Sequence, residues 1–161
     1  MTAINLKGIV LEDFVNYKKP SMFLITSKCD WKCCVEAGNQ ICQNSNLTKV
    51  NSKHYLVQVL FDAYSKNDIS KSIVFGGLEP MLQFNEIYYF IKFFRDNECD
   101  DDIVIYTGYN RDEIEDKVKI LQEFPNIIIK FGRFIPDQEP YFDAVLGVNL
   151  ASDNQYAEVI S

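Results

Sequence analysis

The stretch "SIVFGGLEPMLQFNEIYYFIKFFRDNECDDDIVIYTG", residues 72–108, decides the fold. It opens on a short apolar run over 72–77 and closes on a second one over 103–108, both rich in β-branched and aromatic residues. Runs of this length and composition are typical of buried strands. Between them, residues 84–98 carry apolar side chains at helical spacing. A strand, a helix and a strand in this order predict two parallel strands of one sheet.

The same alternation continues on both sides of this stretch. An N-terminal segment, "INLKGIVLEDF", adds a strand or hairpin, and no repeat or linker marks a second domain. We therefore predict a single α/β domain over residues 1–161, with a mostly parallel sheet covered by helices. The further elements that the pattern predicts are strands over 22–26, 126–132 and 143–148, and helices over 51–67 and 110–124.

Composition and charge exclude several classes of function. The hydrophobic fraction of 47% indicates a folded globule, and a net charge of −7 argues against binding to nucleic acid or to an anionic membrane surface. No apolar run approaches the roughly 20 residues of a membrane span, and the N-terminus does not resemble a signal peptide. We expect a cytoplasmic protein whose partners are small molecules or proteins.

Four of the five cysteines fall in one short loop, "SKCDWKCCVEAGNQIC", residues 27–42. In a reducing compartment such a cluster is typical of metal binding or redox chemistry. The spacing of a thioredoxin-type site is missing. A zinc site is one alternative, with Cys29, Cys33 or Cys34, Cys42 and the lone His54 as ligands, although His54 falls in a predicted helix. The other is an iron–sulfur cluster held by three cysteines, with one iron left open.

Unusual residues also follow the next two predicted strands. Gly76, Gly77, Leu78 and Glu79 come after the strand over 72–77, and Thr107 closes the strand over 103–108. In parallel α/β sheets, ligands bind where the strands end at their carboxyl termini. These segments and the cysteine loop are therefore expected to meet at one edge.

The loop and the glycine turn resemble the radical S-adenosylmethionine family. Cys29 and Cys33 match the first gap of its Cys-x3-Cys-x2-Cys signature, but Glu36 occupies the third position and Cys42 arrives late. The resemblance implies that Cys29, Cys33 and Cys42 bind a [4Fe–4S] cluster, with Cys34 as the alternative to Cys33. It also implies an open, shortened partial (β/α) barrel. S-adenosylmethionine would contact a set of residues that the family's motifs mark: Ile41 beside the adenine, then Gly76, Gly77, Leu78, Glu79 and Thr107.

Further stretches are similar to one branch of that family, the activating proteins of anaerobic ribonucleoside-triphosphate reductases. They include "IYTGYNRDEI", "KFGRFI" and the C-terminal "GVNLASDNQYAEVI". The resemblance implies that an electron from flavodoxin or ferredoxin cleaves S-adenosylmethionine, and that the resulting 5′-deoxyadenosyl radical takes a hydrogen atom from a glycine of the reductase. Lys130 or Arg133 would neutralise a carboxylate in the site. Two alternatives remain: another peptide or small-molecule target of the same chemistry, and a zinc-binding interaction module.

Overall fold

A computed structural model of the protein describes residues 2–41 and 44–161. Within those residues its main sheet has seven strands: β1 (Ala3–Asp13), β2 (Ser21–Thr26), β3 (Lys53–Leu56), β4 (Ser72–Gly76), β5 (Asp102–Tyr106), β6 (Ile127–Phe131) and β9 (Tyr156–Val159). They lie side by side in the order β3-β1-β2-β4-β5-β6-β9. β2, β4, β5 and β6 are parallel. β1, β3 and β9 extend the sheet with antiparallel pairing.

Three helices of the described residues pack on one face of this sheet and contribute to the core: α2 (Val57–Lys66), α3 (Phe84–Asp96) and α4 (Glu115–Leu121). A shorter helix, α1 (Lys32–Ala37), has no buried residue. Because strand side chains alternate between faces, Phe75, Ile105 and Ile129 point into this helical core. Phe90 of α3 stacks on Phe94 with 4.2 Å between ring centroids.

The opposite face is only partly covered. Val74, Val104 and Ile128 pack there against Tyr17 and Leu146. Leu146 belongs to a separate hairpin formed by β7 (Tyr141–Asp143) and β8 (Val148–Leu150). Toward the carboxyl ends of the parallel strands, the described residues leave a cavity on this face, which we call the open face.

The predicted mostly parallel sheet with covering helices is confirmed, and so are the strands over 22–26, 72–77, 103–108 and 126–132, with shifts of one or two residues at their ends. Asn110 and Glu113 form a capping box at the start of the helix predicted over 110–124. The helix predicted over 110–124 begins as a 3-10 turn, Arg111–Ile114, and continues as α4.

The strand predicted over 143–148 is wrong. The amide of Gly147 donates to the carbonyl of Asp143 at 2.7 Å, which closes a turn between β7 and β8. Gly147 has a φ of 72°, a conformation that glycine adopts at little cost.

The helix predicted over 51–67 is also partly wrong. Its first part is β3, whose residues pair with β1 at the sheet edge, and α2 begins only at Val57. His54 is therefore an exposed strand residue opposite Asn5. In the described parts of the chain, no helix has the length and apolar character needed to cross a bilayer.

We expect Phe90→Ala to lower the free energy of unfolding by about 3–5 kcal/mol, because it leaves a cavity among Phe75 and Phe94. Chemical denaturation measures the change. Tyr89→Ala is the matched control: Tyr89 is the neighbouring residue and is 52% exposed, so its loss should change the free energy by less than about 1 kcal/mol. Equal effects of the two substitutions would contradict this packing.

Candidate functional site

The parallel strands end along one edge, and the segments that follow them surround a cavity. It has a volume of about 870 Å³, which is within the usual range for small-molecule sites. It lies on the open face, because its strand residues Phe23, Tyr106 and Lys130 alternate with the residues of the helical core. The predicted site residues that line it are Cys29, Cys33, Gly76, Gly77, Leu78, Glu79 and Thr107.

The cysteine loop crosses this edge directly after β2. The carbonyl of Lys28 accepts a hydrogen bond from the amide of Glu79 at 2.7 Å, which ties the loop to the glycine turn. Trp31 adopts a left-handed conformation with φ 59°, and its amide donates to Cys29 Sγ at 3.3 Å. This turn places Cys33, on α1, beside the cavity.

Cys33 and Cys34 occupy different surroundings although they are adjacent. Cys33 Sγ lies 3.7 Å from the position that a β-carbon on Gly108 would take. Within the described residues Cys34 is half-buried and does not line the cavity.

The third predicted ligand, Cys42, lies outside the described residues. Ile41, the last residue described before it, is half-buried and lines a second cavity of about 670 Å³ on the other side of Cys33. Over residues 2–41 and 44–161, His, Cys, Asp and Glu side chains form no group of three with a metal-binding arrangement. His54 therefore joins no such group among them.

The first part of the glycine turn requires the absence of a side chain. Gly77 has a φ of 90°, and a β-carbon there would lie 2.6 Å from Ile25 Cγ2. Both features restrict the position to glycine. The chain therefore leaves β4 in a sharp turn that exposes its backbone to the cavity.

Glu79 is the most constrained acidic residue of the site. Its side chain is buried, and its two carboxylate oxygens accept three hydrogen bonds: from Thr107 Oγ1 at 2.7 Å, from the amide of Met81 at 2.9 Å and from the amide of Gly108 at 2.8 Å. Burial raises the pKa of the carboxyl, and these hydrogen bonds together with the charge of Lys130 oppose the rise. The carboxylate thus joins the ends of β4 and β5.

Lys130 provides a buried cation on the floor of the cavity. Its Nζ donates to the carbonyls of Gly132 and Thr107 at 3.0 and 3.2 Å. Burial lowers the pKa of the ammonium to about 8, although the charges of Glu79 and Cys33 favour the protonated form. At neutral pH Lys130 is therefore protonated, and its charge interacts with Glu79 and Cys33 at the cavity.

Thr107 completes this group from inside. It is fully buried, and while its hydroxyl donates to Glu79, its oxygen accepts from the amide of Tyr109 at 3.0 Å. Tyr109 in turn donates to Asp30 of the cysteine loop. Thr107 lies at the edge where the sequence predicts it, and its hydroxyl group bonds Glu79 and the amide of Tyr109.

Sequence reasoning missed one anchor of the site, Gln83, and the partner of another residue, Arg133. Gln83 accepts from the amide of Ser27 at 2.7 Å and donates to the carbonyl of Asn5 at 2.8 Å. Arg133, one of the two cations that the sequence singles out, pairs with Glu113. A glutamine next to a helix start and a distant ion pair leave no periodic or motif signal, so the pattern alone could not reveal them.

A family model described as "4Fe-4S single cluster domain" matches residues 20–149, most of the chain. The chain belongs to the 4Fe-4S single cluster domain family. The matched range contains the cysteine loop, the glycine turn and Thr107, which are the segments that meet at the cavity. Membership in this family supports a [4Fe–4S] cluster as cofactor. Comparison with the curated proteins finds no match.

We expect Glu79→Gln to lower the free energy of unfolding by about 1–3 kcal/mol. The amide nitrogen of glutamine cannot accept a hydrogen bond, so at least one of the three donors around this side chain loses its acceptor. Denaturant unfolding of the metal-free protein at neutral pH measures it. Glu123→Gln, at an exposed position, controls for the loss of charge. A Glu79→Gln variant as stable as this control would contradict the three-bond arrangement.

The Lys130 pKa predicts a pH dependence of stability. The folded-state value of about 8 lies below the ordinary 10.5, so from pH 8 upward the unfolded chain keeps a proton that the folded chain has released. Stability therefore rises with pH in this window. Between pH 8 and 9.5 we expect metal-free wild type to gain up to about 2 kcal/mol relative to Lys130→Met. If the stability difference between wild type and Lys130→Met stays constant or shrinks over this pH range, burial does not lower the pKa of Lys130.

Proposed function

We propose that this member of the 4Fe-4S single cluster domain family is a radical S-adenosylmethionine activase, which generates a glycyl radical in an anaerobic ribonucleoside-triphosphate reductase. One observation carries the proposal: the cysteine loop, the glycine turn and Thr107 line a single cavity on the open face of the sheet. The architecture proposed for it is the open partial barrel of that family.

The residues fit a cluster at the level of their chemistry. Cys29 and Cys33 both line the cavity, and thiolates are the usual ligands of iron–sulfur clusters. The backbone amide of Trp31 donates to the sulfur of Cys29, a type of contact that tunes cluster potentials. Cys42 is proposed as the third ligand, which would leave one iron open for S-adenosylmethionine.

Lys130 is the better candidate for the carboxylate of S-adenosylmethionine. It is buried and lines the cavity, where a charged hydrogen bond is strong. The guanidinium of Arg133 is already engaged by both carboxylate oxygens of Glu113 at 2.6 Å.

In this proposal Glu79 and Thr107 act by holding the turn. Their polar atoms are used by the protein, so the contacts to the cofactor fall mainly to the backbone at Gly76, Gly77 and Leu78. Ile41 borders the adenine in the proposal.

Held by Cys29, Cys33 and Cys42, the cluster would supply reductive cleavage of S-adenosylmethionine, with flavodoxin or ferredoxin as the electron donor and a glycine of the reductase as the group that loses a hydrogen atom. The chain itself binds and orients both groups. An open cavity suits this task, because a peptide segment of a large partner must reach it.

Single cysteine substitutions test the ligand set. We expect Cys29→Ala, Cys33→Ala and Cys42→Ala to lose most of the iron and sulfide after anaerobic reconstitution, and to lose reductive cleavage of S-adenosylmethionine. Metal analysis and chromatography of 5′-deoxyadenosine measure both. Cys34→Ala is the matched control for Cys33→Ala. Cys99→Ala controls for the removal of a thiol outside the cysteine loop. Both control variants should retain the cluster and the cleavage activity.

The outcomes separate the possible errors. A cluster lost in Cys34→Ala and kept in Cys33→Ala would move the second ligand by one residue. Zinc in place of iron would contradict the function as a whole. With cleavage established, a glycyl radical signal in an anaerobic reductase supports the proposed target, and its absence assigns the chemistry to another substrate.

A further inference from the structure

The short helix that carries Cys33 is not held by apolar packing. α1 spans six residues, and none of them is buried; Val35, its largest aliphatic residue, is 73% exposed. The side chain of its N-cap residue, Trp31, makes no capping hydrogen bond, and Asp30 Oδ1 accepts from the amide of Lys32 at 3.2 Å. Since burial of apolar surface normally fixes a helix to its domain, other contacts must hold α1.

Ion pairs connect α1 to the rest of the chain. Lys32 and Glu36 lie four residues apart and therefore on one side of the helix. Lys32 Nζ lies 3.0 Å from Glu113 Oε2, and Glu36 Oε2 lies 2.9 Å from Arg133 Nε. The second contact is an ion pair outside the directions in which Nε–H donates a hydrogen bond. Both contacts end on the same pair of residues, Glu113 and Arg133.

Glu113 and Arg133 form a rigid base for these contacts. Arg133 Nη1 and Nη2 donate to the two oxygens of Glu113, each at 2.6 Å, and the Arg133 side chain is only 8% exposed. Such bidentate pairs are the strong ones among charged hydrogen bonds. The guanidinium holds the pKa of Glu113 well below its ordinary value. Glu113 also accepts from the amide of Asn110 at 2.9 Å.

The backbone of Arg133 is fixed in addition. Its carbonyl accepts from Asn154 Nδ2 at 2.9 Å. The preceding Gly132 has a φ of 105°, and a β-carbon there would lie 2.9 Å from the carbonyl oxygen of Asn154. The C-terminal segment therefore fixes the backbone of Arg133. Asn154 thus has a structural role that the sequence pattern did not indicate.

We propose that Arg133, through Glu113 and Glu36, is a positioning residue for the iron–sulfur site that holds α1 and thereby sets Cys33 beside the cavity. The inference rests on the proposed role of Cys33 as a cluster ligand. Arg133 itself touches neither cluster nor cofactor in this account. Its guanidinium replaces the apolar contacts that α1 lacks.

Hydrogen exchange of the metal-free protein tests this without the cofactors. In Arg133→Gln we expect the amides of residues 32–38 to exchange about tenfold faster, because the helix opens more often. The amides of β5 and β6 should keep their wild-type rates. Arg111→Gln is the matched control: Arg111 also pairs with two glutamates, Glu115 and Glu158, and its loss should leave residues 32–38 unchanged.

Two further variants keep the test decisive. If Arg133→Gln speeds exchange throughout the chain, Glu36→Gln removes only the link to α1, and about threefold faster exchange confined to 32–38 supports the proposal. Arg133→Lys keeps the charge without the planar fork and should fall between wild type and Arg133→Gln. Unchanged exchange of residues 32–38 in both Arg133→Gln and Glu36→Gln would overturn the proposal.

A second readout connects the helix to the cluster. In reconstituted protein, loss of iron to a chelator under anaerobic conditions should be about tenfold faster in Arg133→Gln than in wild type or Arg111→Gln. Equal rates would remove the role in the cluster site. Wild type that binds a cluster but does not cleave S-adenosylmethionine would count against the proposed function alone, since both readouts here are independent of cleavage.

Discussion

The buried carboxylate of Glu79 is the interaction on which the arrangement of the site depends. It takes hydrogen bonds from Thr107 and Gly108 at the end of β5 while it sits in the turn that follows β4. Its own amide reaches back to the cysteine loop after β2, and Lys130 on β6 supplies the compensating charge. Glu79 thus connects the segments that follow β2, β4 and β5 and interacts with the charge on β6. Burial of this carboxyl group is tolerated because three donors bind its oxygens and the charge of Lys130 opposes the rise in its pKa.

The fold was largely readable from local patterns. The strand, helix and strand over 72–108 and the adjacent strands and helices are recognisable from short β-branched runs and from apolar residues at helical spacing. Both signals depend only on residues close in sequence. The predictions fail where contacts between residues distant in sequence, or a side chain that closes a turn, determine the local structure. Residues 53–56 form a strand because β1 offers them an edge, and the run over 143–148 folds into a turn because Asp143 caps it, with its carboxylate accepting from the amide of Leu146 at 2.9 Å.

The site was readable in its location and less so in its contacts. Cys29, Cys33, Gly77 and Glu79 were placed at one edge by the rule for parallel sheets, and the structure brings them around one cavity. The side-chain orientations of Glu79 and Thr107 depend on the hydrogen bond between them and on the bond from the amide of Gly108. No single sequence motif includes all three residues, so these orientations could not be predicted. The pairing of Arg133 with Glu113 is likewise non-local. Contacts of this kind join residues that are far apart in the sequence, and no periodic pattern of residues predicts them.

The central claim is that this cavity holds a cluster with one iron open to S-adenosylmethionine. The most direct measurement is electron paramagnetic resonance of the anaerobically reconstituted, reduced protein, recorded with and without S-adenosylmethionine. The account predicts a reduced [4Fe–4S] signal whose g-values change when S-adenosylmethionine is added, because the molecule binds the open iron. A cluster signal that is identical with and without S-adenosylmethionine would contradict it.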